Sequence, residues 1–132
     1  MTEKIQQKIF SQLVKIGIID ETGAMKAEYM RFASEGLMDL HVDRLPNNML
    51  SVAHNGKLNG DVMADPDVEI AIFPQIQCAE GFTFQNDYLG VYQEVYTDGK
   101  PNVKLRSDLN IFLHEWLSNI INAEYELKEV ED

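Results

Sequence analysis

Apolar residues near both ends of the chain recur at the three- and four-residue spacing that gives a helix one apolar face. At the N-terminal end this stripe consists of Ile5, Ile9, Leu13 and Ile16. Gly17 follows it, and glycine often closes a helix because it adopts the left-handed conformation without strain. Near the C-terminal end a longer stripe consists of Leu109, Phe112, Leu113, Trp116, Leu117, Ile120 and Ile121. We predict two helices, the first beginning after Thr2 as its N-cap and ending before Gly17, and the second beginning after Ser107 as its N-cap.

The middle of the chain instead shows the two-residue alternation of half-buried strands. The clearest case is the alternation of Met38, Leu40 and Val42 with Asp39, His41 and Asp43. Residues 49–54 follow a turn and predict a second strand that pairs with the first as a hairpin. Further strands are predicted from Tyr29 onward, at residues 68–73, 82–85 and 89–96, and as a short edge strand at 103–106.

These elements predict a single α+β domain over residues 1–132. Its core would be a meandering antiparallel sheet of about five strands, packed against the N- and C-terminal helices. Residues 124–132 are rich in acids and carry no apolar stripe, so we expect this C-terminal end to be frayed.

Charge and composition limit the class of protein further. The 132 residues carry 11 Lys and Arg against 22 Asp and Glu, a formal net charge of -11, which argues against direct nucleic-acid binding. The apolar runs are too short to span a membrane, and the N-terminal residues lack the pattern of a secretion signal. With one cysteine, Cys78, an internal disulfide is impossible. We therefore expect a cytoplasmic, soluble protein.

The densest group of polar residues lies between His54 and Asp67. An imidazole and several carboxylates close in sequence can bind a ligand, and the candidate ligand-binding residues are His54, Asn59, Asp61 and Asp65. Asn, Gly, Asp and Pro are equally typical of turns, where their side chains cap the backbone. The spacing fits neither an EF-hand loop nor a His-Glu-x-x-His zinc motif. We therefore predict no metal, no cofactor and no catalytic residue here.

The same segment resembles a family of small bacterial, phage and mobile-element proteins without an assigned activity. The resemblance rests on Ala53-His54, Asn59-Gly60-Asp61 and Asp65-Pro66-Asp67, which match an Ala-His, Asn-Gly-Asp and Asp-Pro-acid pattern. Residues 88–96 are similar to a second, aromatic-rich block of the family. The match covers residues 36–122 and implies an association with phage or mobile elements, but it supplies no mechanism.

Two functions remain open from the sequence. The first is a non-catalytic binding or accessory module with a protein partner, which in a sharper form is a nucleic-acid mimic that offers carboxylates in place of phosphates. The alternative is a metal-dependent enzyme or small-ligand site built on the His54–Asp67 segment. The two are distinguished by whether His54 and Asp61 face one cleft. We expect the binding module.

Overall fold

A seven-stranded antiparallel sheet forms the centre of the structure, a computed structural model that describes residues 4–58 and 61–132. Its strands are β1 (Tyr29–Ala33), β2 (Leu40–Leu45), β3 (Met49–Leu58), β4 (Asp61–Phe73), β5 (Cys78–Asn86), β6 (Val91–Glu94) and β9 (Glu126–Glu131). The other elements are helices α1 (Ile5–Ile16) and α2 (Val103–Asn122), a 3-10 turn (Pro74–Ile76) and the short ribbon of β7 (Tyr96–Thr97) and β8 (Lys100–Pro101). The predicted α+β fold is confirmed.

The strands lie in the order β6-β5-β4-β3-β2-β1-β9, so β1 to β6 form a meander of antiparallel neighbours. The described sheet has seven strands against about five expected, and six of them correspond to predicted strands. The seventh is β9, which the sequence analysis treats as a frayed acidic end. This strand forms because it pairs with the free edge of β1, where Arg31 Nε donates to Glu129 Oε1 at 3.2 Å.

Both helices pack against one face of the sheet and enclose the core between them. The largest fully buried side chains are Phe32, Ile9, Leu13, Ile18, Leu40, Leu50, Ile70, Leu113, Leu117, Val42, Val52 and Val68. The helices are also joined directly, because Gln12 Nε2 donates to His114 O at 3.0 Å and to Ser118 Oγ at 2.8 Å. The apolar stripe of each predicted helix is the face that is buried.

Helix α2 approaches β5 closely because of a glycine and a bulge. The register of β5 slips opposite Glu69 and Ile70, and the Gly81 N–H donates instead to the buried Asn110 Oδ1 at 2.9 Å. A Cβ on Gly81 would lie 2.8 Å from Leu109 Cγ, so only glycine allows this approach. The bulge therefore fixes where α2 lies on the sheet.

The predicted beginning of α2 is wrong. Residues 103–106, which the sequence assigns to an edge strand, form the first turn of the helix, and the N-cap is Asn102 rather than Ser107. The Asn102 side chain accepts a hydrogen bond from Leu105 N at 3.1 Å. Asparagine is as good an N-cap as serine, and Pro101 just before it ends the preceding extended segment.

Candidate functional site

The segment predicted as a polar loop is the distal half of a long β-hairpin. Strand β3 continues past His54 to Leu58, and β4 begins at Asp61. Asn55 and Gly56 lie within β3, paired with Ala64 and Met63 of β4, and so form no turn. Asn59, one of the four candidate ligand-binding residues, lies outside the described residues.

His54 lies on the helix-covered face of the sheet and is buried. Its ring packs edge-on against Trp116 at 5.3 Å and beside Tyr125 at 6.1 Å between ring centroids. Its Nδ1 lies 3.0 Å from the Asp39 backbone carbonyl, which fits an Nδ1–H donor. Burial lowers the pKa of His54 and so favours a neutral ring. This environment is that of a core histidine.

Of the remaining candidates, Asp65 lies near His54 and Asp61 lies apart from it. The charge of Asp65 acts on the His54 ring, whereas Asp61 is exposed at the first position of β4. Asp67, the last residue of the predicted segment, lies on the opposite face of the sheet, because strand neighbours alternate and Asp67 pairs with Ala53. Of the three candidates that the structure describes, His54 and Asp65 therefore lie near each other and Asp61 does not join them.

The residues around Asp65 instead contact Asn86 and Asp87, which directly precede the aromatic-rich block of residues 88–96. Asp87, in the turn between β5 and β6, accepts from Ala64 N through Oδ2 at 2.8 Å, and its own N–H donates to Ala64 O at 2.9 Å. Asn86 Nδ2 donates to Asp65 Oδ1 at 3.3 Å. The backbone hydrogen bond from Ala64 lowers the pKa of Asp87. The residues of the Asp-Pro motif therefore hold the turn that leads into the aromatic-rich block.

The opposite face of the sheet, hereafter the open face, carries an ordered row of polar side chains. One row of register partners crosses all seven strands and consists of Glu131, Tyr29, Asp43, Ser51, Glu69, Thr83 and Glu94. Carboxylates on β9, β2, β4 and β6 alternate in it with hydroxyls on β1, β3 and β5. Because adjacent strands lie about 4.8 Å apart, successive carboxylates in this row are spaced by about 10 Å.

A second row lies beside the first on the same face, two residues away on each strand. It consists of Glu129, Arg31, His41, Ala53, Asp67, Gln85 and Tyr92. In these two rows, all within the described strands, the charged side chains are six carboxylates and one guanidinium. Arg31 is paired with Glu129 and Asp39, both at 3.2 Å. The open face between β2 and β6 is therefore strongly acidic.

Short hydrogen bonds hold the polar side chains of the open face in place. Ser51 Oγ donates to Asp67 Oδ1 at 2.7 Å, and Thr83 Oγ1 donates to Glu69 Oε1 at 3.0 Å. At the other side, the Tyr29 hydroxyl lies 2.6 Å from His41 Nδ1. Ser51 and Ala53 are small and buried between these longer side chains. The hydroxyls thus fix two of the carboxylates in defined positions rather than leaving them to rotate freely.

Asp67 lies near the centre of the open face, and its ionised carboxylate lowers the free energy of unfolding. Burial raises its pKa, and the charges of Glu69, Asp43 and Asp87 raise it further, while the hydrogen bond from Ser51 acts in the opposite direction. Because the folded state holds this proton more tightly than the unfolded state, stability falls as pH rises from below 3.8 through the raised pKa. The cost is present in full at pH values well above the raised pKa.

We therefore expect Asp67→Asn to stabilise the protein at pH 7, by about 0.5–2 kcal/mol, as charge optimisation commonly does. Asparagine keeps the shape of the side chain and the oxygen that accepts from Ser51. Urea unfolding at pH 7 and pH 3 measures the effect, and the gain should shrink at pH 3, where Asp67 is protonated. An equal gain at both pH values contradicts this account. Glu35→Gln, at an exposed turn, is the control and should change little.

The part of the chain that the structure describes lacks two other kinds of feature. Among the described residues, no group of three or more His, Cys, Asp or Glu side chains is arranged to hold a metal ion. Within the same residues, no helix is long and apolar enough to cross a membrane. The acidic open face is missed by sequence reasoning, although the alternation of Asp39, His41 and Asp43 signals its outward-facing side on β2.

The molecule is a small α+β protein in which helices cover one face of the sheet, and the other face is acidic and open. The chain belongs to the family of the domain of unknown function DUF6908, which matches residues 8–125. The family match therefore includes most of α1, which lies outside the region of the sequence resemblance. No curated protein and no solved structure gives a significant match.

Proposed function

We propose that this protein is a non-catalytic binding module whose open face holds the basic surface of a protein partner. The observation that carries the proposal is the row of alternating carboxylates and hydroxyls across the seven strands. Each carboxylate can accept from a lysine or arginine of the partner, and the hydroxyls between them can complete the hydrogen bonds of those cations.

Electrostatics supports a basic partner. The net charge of -11 attracts cations over distances of about a Debye length, which is about 8 Å at physiological ionic strength. Charges within the open face act together at short range, because Asp43, Glu69 and Asp87 all raise the pKa of Asp67. A basic partner would relieve this repulsion on binding, and complementary charge also speeds association.

Mimicry of nucleic acid is the narrower form of the proposal, and the spacing argues against a duplex mimic. The first row offers about one carboxylate per 10 Å across the strands, while duplex DNA carries one charge per about 1.7 Å of its axis. Asp67 and Glu129 in the second row do not close this gap. A folded basic protein surface, with cations spaced as widely as these carboxylates, fits the face better.

The enzyme or small-ligand alternative has less geometric support. It requires His54 and Asp61 in one cleft, but His54 packs against Trp116 and Asp61 is exposed near the tip of the hairpin. The proposal for the binding module includes two further points. The protein would work in the cytoplasm, and it would be associated with phage or mobile elements, as the resemblance implies.

A lysine peptide titrated into the ¹⁵N-labelled protein tests the proposed face. With a ten-lysine peptide at low salt, we expect amide shifts to concentrate on β2 to β6. The variant Asp43→Asn/Glu69→Gln/Glu94→Gln should bind about tenfold more weakly, since three exposed ion pairs at about 0.5 kcal/mol each sum to about 1.5 kcal/mol. Addition of salt should weaken binding by the wild type.

The matched control is Glu21→Gln/Glu35→Gln/Glu115→Gln, at exposed positions outside the open face. Both triple variants change the net charge from -11 to -8, since three acids are neutralised in each. Equal weakening in the two triples would show that net charge alone attracts the peptide and would contradict the proposal. Displacement of a basic DNA-binding peptide from its duplex by the wild type, and not by the first triple, would favour the mimic.

A further inference from the structure

A second site lies away from the open-face rows, between the beginning of α1 and the first residues of β5. It is a cavity of about 380 Å³, within the size range of small-molecule pockets. Its apolar wall is formed by Phe73, Ile76 and Cys78, and its polar end by Glu80, Tyr96 and Arg106, with Lys4 and Gln6 at the α1 side. These residues come from four separate parts of the chain.

The polar end of the cavity is an ion pair in which the Glu80 carboxylate is buried and the Arg106 guanidinium is accessible. Arg106 donates to Glu80 Oε2 from Nε at 3.0 Å and from Nη2 at 2.8 Å, and Tyr96 donates from its hydroxyl to Oε1 at 2.8 Å. The Glu80 side chain is 4% exposed, whereas the Arg106 side chain is 42% exposed. A ligand in the cavity would therefore meet the guanidinium and not the carboxylate.

The remaining wall is apolar and accessible. Ile76 is 65% exposed on the 3-10 turn, and Phe73 before it is also exposed. Cys78 is partly exposed, and its thiol donates to the Ile76 carbonyl over 3.5 Å. Apolar side chains beside a fixed cation provide the usual combination for an amphipathic ligand, in which the apolar wall supplies affinity and the charge sets orientation.

We propose that this cavity binds a small carboxylic acid with an apolar body. The carboxylate would lie against Arg106 and Lys4, while the apolar body would cover Phe73 and Ile76. A cationic ligand is disfavoured because both Glu80 oxygens already accept hydrogen bonds and the nearby charge of Lys4 is positive. This site is separate from the proposed partner surface and does not depend on it.

Hexanoate, 1-hexanol and hexylamine, three molecules with the same chain and different charge, test the proposal. The readouts are amide shifts of the ¹⁵N-labelled protein and the rate at which iodoacetamide alkylates Cys78, the one cysteine of the chain. Hexanoate should shift residues 73–80 and 106. At about ten times its dissociation constant it should slow alkylation about tenfold, because about one molecule in eleven then remains free.

Ile76→Glu should abolish both effects, since it places a carboxylate on the apolar wall at a position that is 65% exposed. Leu89→Glu, at a position 72% exposed in the turn before β6, is the matched control and should keep both effects. Binding of hexylamine or 1-hexanol as tight as that of hexanoate, or no binding of hexanoate at millimolar concentration, overturns the proposal.

Discussion

Trp116→Ala should cost about 3–5 kcal/mol of folding free energy, the range found when large aromatic side chains are removed from cores. Trp116 is 8% exposed on α2 and stacks on Phe112 at 5.8 Å between ring centroids. Its other neighbour is the buried His54 ring, 5.3 Å away. Losing the indole would open a cavity between α2 and β3. The free energy of unfolding of a domain of this size is about 5–15 kcal/mol in total, so the loss would be a large fraction of it.

Urea unfolding followed by far-ultraviolet circular dichroism measures this cost. Ile111→Ala is the matched control, because Ile111 lies on the same helix and is 48% exposed. We expect the control to lose less than about 1 kcal/mol, since its side chain is only partly removed from water. If the two variants unfolded at the same urea concentration, α2 would not be docked on the sheet through Trp116.

The helices and the meander could be predicted because their signals are local. The stripe of α1 and the alternation of β2 each depend on residues within one element. The beginning of α2 was missed because two good N-caps, Asn102 and Ser107, lie five residues apart and the apolar stripe starts only at Leu109. Strand β9 was missed because its stability comes from pairing with β1, 93 or more residues away in sequence. Composition alone cannot show such a partner.

In the candidate sites, too, local features could be predicted and long-range ones could not. The Asn-Gly pairs of the His54–Asp67 segment each signal a turn, but the first lies within β3, where Asn55 and Gly56 pair with Ala64 and Met63 of β4. The outward alternation of β2 could be predicted, whereas the row across seven strands depends on register. The same holds for the cavity, since Lys4, Glu80 and Arg106 come from distant parts of the chain.

Arg106→Ala should cost about 3 kcal/mol, because it leaves the Glu80 carboxylate buried without its cation. The figure is at the low end for a broken buried pair, since the Arg106 side chain is 42% exposed and part of its charge is already met by water. Adding Glu80→Gln should recover most of this loss. Glutamine removes the buried charge, keeps the shape and still accepts the hydrogen bond of the Tyr96 hydroxyl.

Thermal and urea unfolding of the single variants Arg106→Ala and Glu80→Gln and of the double variant complete a mutant cycle. The expected order of stability places Arg106→Ala lowest, with the double variant above it. This order follows only if the unpaired carboxylate, and not the lost guanidinium contacts, is the main cost. A double variant less stable than Arg106→Ala would mean that Glu80 tolerates its charge without Arg106, as the carboxylate of a solvated surface pair does.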